Sequence, residues 1–111
     1  MPVQVSTSGS SVDVPPGVDL SAYRIIQEAL TNVLKHAGPA TARVELTYGE
    51  DDLTLRVTDD GRAATTPNGN RGHGLLGVRE RVAVVGGEVE AGPRPDGGFE
   101  VRARLPYSVE A

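Results

Sequence analysis

One stretch limits the possible folds more than any other. From Asp19 to Ala37 apolar residues recur at helical spacing, and the pattern then stops at Gly38-Pro39. Tyr23, Ile26, Leu30, Val33 and Leu34 share one face of such a helix, because positions three and four apart lie on the same side at about 3.6 residues per turn. Asp19 or Ser21 is placed to cap its start, after a turn at Pro15-Pro16-Gly17. Gly38 tolerates the left-handed geometry that ends helices, and Pro39 cannot continue one. An amphipathic helix of this length needs an apolar surface to lie on. The next residues supply it: Val44, Leu46, Tyr48 and then Leu53, Leu55, Val57 alternate with polar side chains on either side of Gly49-Glu50-Asp51-Asp52, as an antiparallel hairpin with one buried face requires.

The remaining elements repeat that logic. Residues 3–7 alternate as a half-buried strand would, until Gly9-Ser10-Ser11 breaks the pattern. Residues 59–74 are rich in Asp, Gly, Asn, Thr and Pro and read as a long loop, a length that usually carries function or motion. Leu75, Leu76, Val78, Val82 and Val85 then mark a second helix closed by Gly86-Gly87. A last hairpin follows, Val89 and Ala91 leading through a turn at 93–98 to Phe99, Val101, Ala103 and Leu105. This order predicts an α+β fold, a two-layer sandwich with helices on one face of a mixed, mostly antiparallel sheet. At 111 residues, 38% of them apolar and 23% charged, the chain is read as a single domain 1–111. Residues 1–18 form an N-terminal strand and turn, 19–106 the core and 107–111 a tail.

Charge and composition exclude several functions. With 11 basic against 15 acidic residues and a net charge of −4, the chain has no cationic stripe for a nucleic-acid backbone. It has no cysteine for a disulfide or a thiolate metal site. No apolar run approaches the roughly 20 residues needed to span a bilayer, so no membrane insertion by this segment is expected and the setting reads as cytoplasmic. With only His36 and His73, no histidine pair has metal-binding helical spacing, and no serine elbow anchors a hydrolase triad.

Three places carry candidate chemistry. Glu28, Asn32 and His36 fall four apart along the first helix, with Lys35 beside them. The stripe is either a solvated flank or a set of hard oxygen donors for magnesium with a lysine for phosphate. Val57-Thr58-Asp59-Asp60-Gly61 brings a strand directly into two acids and a glycine, which is also what an acidic turn looks like. Arg71-Gly72-His73-Gly74-Leu75-Leu76-Gly77 sets glycines just before a helix, where unpaired amides and the positive dipole end accept anions; a flexible hinge is the alternative. Arg79, Glu80 and Arg81 are expected on the exposed side of that helix. Neither a Gly-x-x-x-x-Gly-Lys-Ser/Thr loop nor a Gly-x-Gly-x-x-Gly turn after the first strand is present.

Taken in order, Tyr23 to Ala37 (YRIIQEALTNVLKHA), Asp59-Asp60-Gly61-Arg62 and Gly72 to Val82 (GHGLLGVRERV) resemble the catalytic ATPase domain of bacterial sensor histidine kinases, and within them the nitrate-sensor and DesK-like subfamily. The resemblance runs from about Ala22 to Pro106. It implies the Bergerat fold shared with gyrase and MutL, and ATP with magnesium as cofactors. It implies further that Asn32 coordinates magnesium through its side-chain oxygen, with Glu28 beside it directly or through water, and that Lys35 and His36 approach the phosphates or ribose. Asp59 takes the position of the acid that recognises the adenine amino group, and Gly61 that of the first glycine of its box. Gly72, His73, Gly74, Leu75 and Gly77 match the second glycine box, whose amides wrap the phosphates. Residues 64–71 would form a short nucleotide lid. Glu28, Asn32 and Lys35 are the residues expected to serve catalysis. The departure is Ala63, where the family usually has glycine.

The resemblance also implies partners. A kinase of this kind needs a dimerising helical hairpin carrying the phosphate-accepting histidine, and a response regulator downstream. No such hairpin is expected in these residues, so the chain reads as an excised domain, nearly inert alone. Two other readings remain: a stand-alone serine kinase of the anti-sigma-factor type with the same boxes, and a degenerate module that has lost nucleotide affinity.

Overall fold

The computed structural model describes residues 2–9, 14–36, 38–61, 75–95 and 97–107, the His36 side chain apart. They form strand β1 (Val3–Ser8), helix α1 (Pro16–His36), strands β2 (Ala42–Tyr48) and β3 (Asp52–Asp59), helix α2 (Leu76–Val84), and strands β4 (Glu88–Pro93) and β5 (Phe99–Pro106). The five strands make one sheet in the order β1-β2-β3-β5-β4. β1 pairs with β2 in parallel, and every other pair is antiparallel. This is the mixed two-layer α+β sandwich that the pattern predicts.

Register explains the core. Val44, Val57, Val101 and Ala91 stand in one row across β2, β3, β5 and β4; Leu46, Leu55, Ala103 and Val89 form the next. Successive side chains on a strand alternate sides, so these rows share the face that α1 and α2 cover. The core comprises Ile25, Leu53, Leu55, Leu75, Val78, Val82 and Leu105, all essentially inaccessible, with the rows around them. The opposite face carries cross-strand ion pairs, among them Arg56 with Glu45 and Glu100, and Arg104 with Asp52 and Glu88. Pairs as exposed as these contribute about 0–1 kcal/mol each, so the helix-side core holds the sheet's shape.

α1 meets the sheet on a face rotated from the one expected. Its buried residues are Val18, Ala22, Ile25, Ala29, Asn32 and Val33. Tyr23 and Leu34 are 63% and 65% exposed, while Ile26 and Leu30 pack at the margin. Reading by large apolar side chains undervalues Ala22 and Ala29, which are the residues small enough to let the helix lie close on the strands. α1 also begins earlier than expected. Val18 and Asp19 both donate backbone N–H to the Pro15 carbonyl, at 3.0 and 3.2 Å. Pro16 opens the helix, where its missing N–H costs nothing and its fixed φ already suits the helix. Asp19 therefore lies inside the first turn, where its charge favours the dipole, and does not cap it.

Smaller differences have similar causes. In α2 the buried residues are Val78 and Val82, with Leu75 buried just ahead of the helix, whereas Leu76 is 63% exposed. β1 is exposed over its whole length although Val3 and Val5 align with Ala42 and Val44; it is an edge strand, paired only with β2 among the described residues. Tyr107, expected at the head of a tail, is buried, its N–H bonded to the Asp51 carbonyl at 2.9 Å and its hydroxyl to that of Gly49. Among the described residues no helix is long and apolar enough to cross a membrane.

The rotation of α1 is checked by urea unfolding. Ile25→Ala is expected to cost about 2–5 kcal/mol, whereas Leu34→Ala stays within about 0.5 kcal/mol. Equal losses would restore the face first read from the pattern.

Candidate functional site

Topology brings Asn32 and Asp59 to one end of the molecule. α1 runs toward its end at His36, and the chain enters β2 at Ala42 a few residues later. Ala42 is the register partner of Asp59, the last residue of β3. Asn32, one turn before the end of α1, therefore lies at the same end of the sandwich as the tip of β3. Both face the interior: Asn32 and Asp59 are each 3% exposed.

The two polar groups have different surroundings. Asp59 continues the inward period of Leu53, Leu55 and Val57, and its Oδ1 accepts the Gly61 N–H at 2.9 Å, closing a tight turn at the strand's end. Its neighbour Asp60 points outward and holds the loop. Asp60 Oδ1 accepts the Thr41 N–H at 2.7 Å, and the Asp60 N–H donates to the Thr41 carbonyl at 3.3 Å. Of two adjacent acids, one is thus structural and the other is delivered into the interior. Asn32 differs again: neither its Nδ2 nor its Oδ1 has a hydrogen-bond partner among the described residues. A buried amide left unpaired costs about 1–3 kcal/mol, and native proteins keep few such groups.

α2 forms the other wall. Leu75 stands at its N-cap with no side-chain hydrogen bond to the first-turn amides, so the helix start is not closed by its own cap. Gly77 lies against Glu28 of α1, so near that a Cβ there would overlap the carboxylate. Arg81, expected among solvated charges, instead donates from Nε to Glu28 Oε1 at 2.7 Å and ties the helices together. Arg79 and Glu80 are exposed as expected.

The expected site residues divide accordingly. Glu28, Asn32, Asp59, Gly61, Leu75 and Gly77 are described, the buried ones at the walls just drawn, and Lys35 is exposed on the last turn of α1. Gly72, His73, Gly74, Ala63, the lid 64–71 and the His36 side chain lie outside the described residues. One supporting residue escaped sequence reasoning. Gly98, at φ +89°, lies against the Asp59 carbonyl, where any Cβ would overlap it. The Gly97-Gly98 pair signalled only a turn, and which backbone it abuts is knowable only from the register Asp59↔Phe99.

For a divalent cation, the described residues bring together no group of three or more His, Cys, Asp or Glu. Calcium-type cages are therefore absent among them. Magnesium bound with phosphates needs less, one or two protein oxygens plus waters, and the unpaired Asn32 Oδ1 with Glu28 one turn earlier fits that demand.

A family profile described as "Histidine kinase-, DNA gyrase B-, and HSP90-like ATPase" matches residues 17–109. The chain belongs to this family. Among curated relatives of this ATPase-family chain, the sensor protein VraS of Staphylococcus epidermidis is 31% identical over 99% of the chain and 32% of its own length. The sensor histidine kinase YxjM of Bacillus subtilis is 34% identical over 94% of the chain and 25% of its own. The chain thus spans about a third of the first relative and a quarter of the second. Among solved structures, a blue-light activated histidine kinase of Erythrobacter litoralis superposes with TM-score 0.70 at 28% identity, over 96% of this chain and 36% of that one. The ATP binding domain of PrrB from Mycobacterium tuberculosis gives 0.68 at 22% identity, over 96% and 81%, and speaks to the fold alone.

If Asn32 is kept for a ligand, replacing it with a side chain of similar shape and no polar atoms relieves a cost. Asn32→Leu is expected to raise the ligand-free unfolding free energy by about 1 kcal/mol in denaturant titration. A clear loss of stability would show that the amide already has a partner.

Proposed function

We propose that the chain is the ATP- and magnesium-binding catalytic domain of a sensor histidine kinase, passing the γ-phosphoryl group of ATP to a histidine on a separate dimerisation helix. The observation that carries the proposal is the buried amide of Asn32, without a hydrogen-bond partner among the described residues, at the same end of the sandwich as the inward carboxylate of Asp59. Membership of the ATPase family and similarity to sensor kinases support it.

Each residue has a task in this reading. Asp59, fixed by its turn to Gly61 and backed by Gly98, accepts a hydrogen bond from the adenine amino group. Asn32 gives its Oδ1 to magnesium, and Glu28 stands beside it, directly or through water. Lys35 and His36 meet phosphate or ribose. The amides of Gly72, His73, Gly74, Leu75 and Gly77 receive the phosphates, which the start of α2 favours through its dipole. Bound magnesium and ATP supply charge neutralisation and the transferable group, so the protein's contribution is positioning and electrostatics. Glu28, Asn32 and Lys35 bear on the transfer itself.

The partners follow from the chemistry. The acceptor is a helical dimerisation domain, and a response regulator takes the phosphoryl group onward in two-component signalling. The domain works on the cytoplasmic side.

Calorimetric titration with a non-hydrolysable ATP analogue and magnesium tests the reading. Saturable binding is expected, and no heat or thermal shift up to millimolar ligand would sink it. Asp59→Asn is expected to weaken adenine nucleotides by about 10- to 100-fold, the worth of a hydrogen bond to a charged group, and to leave guanine nucleotides little changed. Asn32→Ala removes mainly the part of the affinity that depends on magnesium.

A further inference from the structure

α2 grips the Glu28 carboxylate from two positions one turn apart. Arg81 Nε donates to Oε1 at 2.7 Å, and Gly77 presents bare backbone to Oε2. Gly77 and Arg81 are four residues apart and so share a face of α2, just as Glu28 and Asn32 share a face of α1. Stability alone is a poor reason for this arrangement. The pair is 38% and 30% exposed at its side chains, and ion pairs that exposed contribute little. A glycine within a helix is unfavourable, yet any side chain at 77 would displace Glu28. What the arrangement does achieve is a carboxylate held by Arg81 against α2, one turn from an amide with no hydrogen-bond partner among the described residues.

We propose that Arg81 is a positioning residue for the magnesium site: with Gly77 it fixes the Glu28 carboxylate beside Asn32, acting on the metal through Glu28 and without touching it. The proposal rests on the nucleotide reading above. Magnesium demands near-octahedral order and holds its waters tightly, so a carboxylate that orients a metal-bound water must be set beforehand, and outer-shell partners of this kind tune metal affinity. The same contact joins α1, which carries the metal donor, to α2, which begins at the anion-accepting amides.

The test compares affinity for a non-hydrolysable ATP analogue with and without magnesium chloride in the parent, Arg81→Gln, Arg81→Lys, Glu28→Gln and the Glu28→Gln/Arg81→Gln pair. Each variant is first shown to be folded by its urea transition. The ratio of the two affinities is expected to fall about 10-fold in Arg81→Gln, the usual scale of outer-shell losses, with metal-free affinity unchanged within about twofold. Arg81→Lys, which keeps the charge, recovers part of the ratio. Glu28→Gln lowers it by the same factor, and the double variant falls no further. A folded Arg81→Gln with the parent's ratio, or a double variant that loses the product of the two single effects, overturns the role given to Arg81 and leaves the nucleotide site standing. A parent that binds no nucleotide at all overturns both.

Discussion

The structure depends on how closely α1 lies against the sheet. Ala22, Ile25 and Ala29 are buried against the sheet, and small residues at two of these three positions let the helix lie close to β2, β3 and β5. Once those contacts set the rotation, position 32 is forced inward whether or not its side chain suits an apolar setting. Asn32 is thus buried by its neighbours, and it cannot turn to water without lifting the helix from the core. That coupling makes its unpaired amide informative. An exposed asparagine without a partner would mean nothing, whereas this one is buried with no partner among the described residues, a cost that the fold prevents it from avoiding by turning outward.

The sheet delivers Asp59 by the same principle. Strand alternation assigns Leu53, Leu55, Val57 and Asp59 to the helix side, and the first three are core. The fourth is as buried as they are, and it arrives where the covering helix is ending. Asp60 and Thr41 fasten the outer side of that corner with two hydrogen bonds, and Gly98 presses on its backbone. The backbone that carries the carboxylate is consequently fastened at the ends of three strands.

The sequence showed the sandwich because period-two and helical patterns are global properties that survive local error. Among the described residues, five strands and two helices are present where alternation and the glycine stops placed them, and Asp59 and Asn32 were readable as candidates from the order of the three boxes. What was hidden was hidden for physical reasons. Hydrophobic reading weighs volume, so it chose Tyr23 and Leu34 over Ala22 and Ala29 and turned α1 the wrong way. Long-range contacts leave no local trace: Arg81 with Glu28 and Gly98 with Asp59 join positions far apart in the chain, and a charged run or a glycine pair looks the same whether or not it meets anything. Tyr107 was missed because a single aromatic residue after a proline has no period to announce it.

These hidden contacts share a property with the visible ones. Each glycine that matters, Gly77 and Gly98, removes a side chain where a carboxyl-bearing residue must stand, and each gives up some backbone stability to do so. Asn32 adds a buried amide with no hydrogen-bond partner among the described residues. That amide is hard to ascribe to packing, since an apolar residue at 32 would be cheaper for a fold whose only task was to persist. A ligand that bonded it only in the folded form would return that deficit as binding free energy.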